Sequence, residues 1–126
     1  MTEQEASELT GVHLDMAVAK AMKLENVSVH GGRLWIGGKR PFDPSTHWGD
    51  GGPIIEREKI NLIAVDESIG KIVWAAEQGS TSFSASSFSY DGEPVINFAK
   101  ISVVFGPTPL IAAMRCFVIA KLGREA

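Results

Sequence analysis

Cysteine is nearly absent from this sequence. Cys116 is the only one in 126 residues, so no intramolecular disulfide can form. A chain of this kind suits a reducing compartment, and a cytoplasmic location is expected. No stretch approaches the run of about eighteen uncharged apolar residues that a membrane helix requires. The acidic, polar residues 1–12 also lack both the basic and the apolar part of a secretory signal. No membrane association is expected. Positive charge is scarce as well: 12 Lys and Arg stand against 15 Asp and Glu, a formal charge of −3. That balance gives no broad field for nucleic-acid phosphates, so nucleic acid is an unfavoured partner.

What is present is an ordinary globular composition, 44% apolar and 21% charged, on a length that suits a single domain over residues 1–126. Residues 1–9 carry three glutamates and no packing period, and read as a flexible tail. Thr10 stands at an N-cap position ahead of a helix expected over 11–23, in which Leu14, Val18 and Met22 form an i, i+4, i+8 stripe. From Asn26 the period changes to two. Val27 and Val29 alternate with Ser28 and His30, Gly31-Gly32 breaks the run, and Leu34, Trp35 and Ile36 follow, which predicts a hairpin.

Residues 41–53 read as a loop, with Pro53 opening a short helix through Glu58 or, alternatively, a brief strand. Strands are expected at 60–65 and 71–76 about an Asp66-to-Gly70 turn, and again over 94–105. The serine-rich residues 78–92 between them form a hairpin or loop. The last helix, over 109–122, has the fullest set of signals: Thr108 as N-cap, Pro109 at the first helical position and Gly123 beyond the end. Leu110, Met114, Phe117 and Val118 make a wide apolar arc opposite a small-residue face of Ala112, Ala113, Cys116 and Ala120. Such a helix must be covered on two sides, by a sheet and by either the first helix or a second subunit, so a homodimer enters here as one way to cover it. Two long helices are too few to serve as crossovers for five or so strands. The expected fold class is α+β, a mainly antiparallel sheet with an N-terminal and a C-terminal helix packed on one face.

Three stretches carry a family resemblance. They are Leu14-Asp15 with Val18-Ala19-Lys20-Ala21; Pro44-Ser45-Thr46-His47-Trp48 followed by Gly51-Gly52-Pro53-Ile54-Ile55-Glu56-Arg57-Glu58; and Gly106-Pro107-Thr108-Pro109-Leu110 running on to Lys121-Leu122-Gly123. In these the chain resembles the NinX-like proteins of bacteriophages and prophages, over nearly its whole length. The resemblance implies a small accessory protein made inside an infected or lysogenic bacterium. It implies no catalytic residues, because that family has no assigned activity.

The residues themselves offer no catalytic motif and no cofactor signature. His13, His30 and His47 lie seventeen residues apart, with no helical i, i+4 pair and no CxxC partner to build a zinc site. Gly37-Gly38-Lys39 would need glycine at 33 and Ser or Thr at 40 to be a phosphate loop, and arginine stands at both. No serine lies in a G-x-S-x-G elbow, and Cys116 sits mid-helix among apolar neighbours. The favoured reading is therefore a non-catalytic module that binds a host or phage protein. One alternative is a small enzyme built on residues 43–58, where Asp43, Asp50, Glu56 and Glu58 gather around His47. The other is a weak nucleic-acid binder using Arg33, Lys39 and Arg40 with Trp35 between them. Recognition is expected at Trp48, Gly51, Gly52, Pro53, Glu56 and Arg57: an aromatic anchor, glycines that permit close backbone approach, a fixed turn and two charges. The competing architectural reading has Trp48, Ile54 and Ile55 closing the core and Glu56 paired with Arg57 or a neighbouring basic residue.

Overall fold

Alternation and turn chemistry fix the first sheet in the computed structural model, which describes residues 3–68, 70–78 and 103–122. Strands β1 (Val27–His30) and β2 (Arg33–Ile36) pair antiparallel with His30 opposite Arg33. Gly31 and Gly32 alone bridge them, both at positive φ (62° and 74°). A two-residue turn with that handedness matches the twist of the flanking strands, and glycine adopts it without a Cβ penalty. The two-residue strand β3 (Arg40–Pro41) adds to β2 and completes a three-stranded sheet in the order β1-β2-β3.

A second sheet, also three-stranded and antiparallel, has the order β4-β5-β6. Its long hairpin joins β4 (Ile60–Ser68) to β5 (Lys71–Gln78), and β6 (Val104–Gly106) lies along β5. The class is α+β and antiparallel as the patterns predict, and among the described residues the strands form two sheets. The loop after β3 and the helix that follows it separate them in the chain. Of the strand expected over 94–105, residues 103–105 are described, and 104 and 105 lie in β6; residues 94–102, the serine-rich residues 79–92 and the Gly123 cap lie outside the described residues.

Among the described residues there are four helices: α1 (Glu3–Ser7), α2 (Gly11–Ala21), α3 (Trp48–Glu58) and α4 (Pro109–Leu122). The N-cap of α4 is as the sequence predicts. The Thr108 hydroxyl accepts a bond from the Ile111 N–H at 3.1 Å, and its carbonyl takes the Ala112 N–H at 3.0 Å. Thr10 occupies the N-cap position of α2 without making a side-chain cap bond. Helix α1 lies within the residues read as a tail, and Ala6 on it is fully buried in the core.

Helix α4 is the centre of the molecule. It lies on the β4-β5-β6 sheet, while α2, α1 and α3 pack against it from other directions. Leu110, Met114, Phe117 and Val118 are buried, and so are Ala112, Ala113 and Cys116 of the small-residue face. The small face admits close approach of a strand: a Cβ on Gly106 of β6 would stand 2.6 Å from the Ala112 nitrogen. Helix α2 packs on α4 and also reaches β2. Both sides of α4 are covered by the chain itself, and the reason for invoking a second subunit there falls away. Arg115 of α4 is half-buried and donates to the Leu9 carbonyl and the Phe105 carbonyl, each at 2.9 Å, tying the α1–α2 link to β6.

Candidate functional site

Helix α3 starts one turn earlier than its proline suggests. Trp48-Gly49-Asp50-Gly51-Gly52 is a poor helix-forming run by propensity, and tertiary bonds hold it. Asp50 lies in the first turn, where a carboxylate favours the helix N-terminus. One of its oxygens accepts from Arg40 at 2.8 Å and the other from the Asp43 N–H at 3.0 Å. The His47 carbonyl receives the Asp50 and Gly51 N–H groups, both at 3.0 Å, which closes the first turn. Pro53 lies inside the helix and leaves the carbonyl of Gly49 without its ordinary helical donor. Gly49 is exposed, so water can reach that carbonyl.

The loop before α3 is pinned from the other side by α2. Asp15 is buried (4% exposed) and accepts the Ser45 N–H at 2.9 Å across thirty residues of chain, while the Ser45 hydroxyl donates to the Gly11 carbonyl at 3.5 Å. Phe42, Pro44 and Ser45 are buried with it. Burial pushes the Asp15 carboxyl up from its ordinary value of 3.8; the Ser45 side-chain and backbone donors oppose that rise, and nearby Asp43 and Asp50 reinforce it. The folded state therefore holds this proton more tightly than the unfolded chain does. The resulting stability is complete below pH 3.8 and is lost as pH rises through the raised folded value. Asp15→Asn removes that ionisation. Denaturant unfolding across the acidic range should show the variant gaining on the wild type as pH rises through this window, and a constant difference would contradict the assignment.

With both ends of the loop fixed, α3 presents one face to solvent. Trp48, Gly52 and Glu56 follow one another at i, i+4 spacing, with Pro53 and Arg57 beside them on the same side. Trp48 is 53% exposed. Its ring lies along Gly52, where an added Cβ would stand 4.0 Å from the ring edge. Glu56 and Arg57 are exposed, whereas Asp50, Gly51 and Ile54 point inward and Ile55 is half-buried. Five of the six expected recognition residues thus form a continuous stripe, and Gly51 does not belong to it. Trp48 does not close the core as the architectural reading supposed; Ile54 does. Arg57 pairs with Glu58 at 3.1 Å, not with Glu56, and its guanidinium lies 6.0 Å from the Phe117 ring centre.

An open depression of about 480 Å³ flanks the stripe, lined by Arg33, Arg40, Asp43, His47 and Asp50 among others. The charges in it are matched. Arg33 meets Asp43 at 2.8 Å and lies over the Trp35 ring at 5.8 Å, and Arg40 meets Asp50 at 2.8 Å. These pairs engage two of the three cations considered for nucleic acid and two of the carboxylates considered for acid/base work. The histidines lie on three separate elements, His13 on α2, His30 on β1 and His47 at the α3 N-cap, and all are exposed. Among the described residues, no group of three His, Cys, Asp or Glu side chains is placed to hold a metal ion, and no helix is long and apolar enough to cross a membrane.

Asp15 and Ser45 are the pieces that a residue-by-residue reading misses. The available signal was the position of Asp15, which with Val18, Ala19 and Met22 follows the helical period of a buried face, so a carboxylate there needs an internal donor. A comparison with curated proteins finds no match. A family model described as Bacteriophage P22, NinX matches residues 5–121, a span that takes in the pinned loop, the stripe and every element from α2 to β6.

Proposed function

The chain belongs to the bacteriophage P22 NinX family, and from that premise we propose that it is a non-catalytic accessory protein acting in the cytoplasm of the bacterial host. It binds a host or phage protein through the α3 stripe of Trp48, Gly52, Pro53, Glu56 and Arg57. The observation that carries this reading is the half-exposed Trp48, held on a helix whose start is anchored by Asp50 and whose preceding loop is anchored by Asp15. Exposed tryptophan is costly to leave in water and is enriched where binding energy concentrates at interfaces. A rigid helix presents it with little ordering cost on association. Glu56 and Arg57 flank the anchor and supply charged contacts that select a partner more than they strengthen it.

Both charged residues are exposed, and surface substitutions of this kind usually change stability by less than about 0.5 kcal/mol. Glu56→Ala and Arg57→Ala should therefore unfold within that range of the wild type while losing capture of the partner that the wild-type protein retains from phage-infected cells. Undiminished capture by both variants would return the stripe to architecture.

A further inference from the structure

We propose that a second surface, the groove between α2 and the β1–β2 hairpin, receives an acidic amphipathic helix of a partner protein. The groove encloses about 670 Å³ and has a mainly apolar lining. On one wall His13, Met16, Ala17 and Lys20 follow i, i+3, i+4, i+7 spacing along a single face of α2, and on the other Val27 and Val29 project from alternate positions of β1. Met16, Val27 and Val29 remain 45%, 38% and 42% exposed, so among the described residues this apolar surface is left open. Two helical turns of α2 form the wall, which matches the length over which a partner helix presents anchors at i, i+3 and i+7.

Charge selects the occupant. Lys20 also lines a neighbouring depression, where Lys23, Arg57 and Lys121 join it and Glu58 is the sole acid. The C-terminal ends of α2, α3 and α4 meet there, each equivalent to roughly half a negative charge. Four cations against one carboxylate and three such ends leave an excess of about one and a half positive charges. The Glu58 carboxylate accounts for Arg57 at 3.1 Å and Lys121 at 3.3 Å. Among the described residues no ion pair engages Lys20 or Lys23. A ligand with an apolar face and carboxylates at one end satisfies both halves of the surface. A small amphipathic molecule is a poorer fit, because such ligands are usually about 70–90% buried and this groove is open along its length.

Fluorescence anisotropy with the full chain tests the proposal. The probe is a labelled synthetic helix of roughly 15 residues with leucine at i, i+3, i+4 and i+7 and glutamates at one end, compared with a version carrying lysine in place of glutamate. The glutamate peptide should bind at least about tenfold tighter than the lysine peptide. Met16→Ser, at an exposed position that leaves the fold intact, should weaken it about tenfold, and Lys20→Glu should shift the preference toward the lysine peptide. Equal binding of the two peptides, or variants that bind like the wild type, overturns the proposal. So does displacement of neither peptide but saturable binding of decanoate, which would make the groove a lipid site. A Met16-dependent dimer in sedimentation would assign it to a second copy and overturn it as well. Trp48 takes no part in this surface, so its loss and the loss of α3 recognition are separate results.

Discussion

Phe117→Ala should cost about 3–5 kcal/mol of stability, enough to remove a large fraction of what holds a domain of this size together. Phe117 is 2% exposed and stands on α4, which touches both sheets' supporting elements and the other helices. Its ring belongs to the single buried cluster that also contains Leu14 and Val18 of α2, Ile54 of α3 and Val104 of β6. Truncation leaves a cavity that none of these elements can fill without moving another. Urea unfolding checks this directly: the midpoint should fall with little change in slope. A loss below about 1 kcal/mol would show that the helix is not central.

The adjacent glycines of α3 should respond to the same substitution with opposite signs. A Cβ on Gly51 would stand 2.5 Å from the Pro44 carbonyl oxygen and 2.7 Å from a Leu110 methyl. The nearer group is backbone, in a loop already pinned by Asp15, and it cannot swing aside. Gly51→Ala should destabilise by about 1–3 kcal/mol, the ordinary cost of overpacking a filled interior. Gly52→Ala meets only the edge of the Trp48 ring at 4.0 Å, an ordinary contact, and gains the helix propensity that glycine lacks, about 0.5–1 kcal/mol. Thermal unfolding of the two variants side by side decides the matter, and equal responses would place both glycines on the surface.

This pair also shows how far the sequence can be read. Signals contained within a few residues were legible: Thr108-Pro109 at the start of α4, Gly31-Gly32 between β1 and β2, and the two-residue period of the hairpins. The first turn of α3 was not, because its residues disfavour a helix and are held by Asp50 bonds to Arg40 and Asp43 that sequence order does not reveal. Starting the helix at Pro53 leaves the faces of residues 48–52 undefined. Gly51 was therefore grouped with Gly52, although one faces Leu110 and the other faces solvent. Helix α1 escaped for a related reason: in five residues no period can be established, and its place depends on one alanine reaching the core. The stripe residues were individually suggestive as an aromatic, a proline and two charges, but their common face followed only from the fold. The buried Asp15 to Ser45 bond joins residues thirty apart, and no local pattern announces such a partner.

Photo-crosslinking tests directly the proposed recognition of another protein by α3 through Trp48. Replacing Trp48 with a photo-crosslinking amino acid, and the exposed Glu67 of β4 likewise as a control, lets each position report its neighbours in phage-infected cells. A discrete adduct of one host or phage protein is expected from position 48, lost when Glu56 and Arg57 are both alanine, and none from position 67. No adduct from position 48, or the same adducts from both positions, would contradict it.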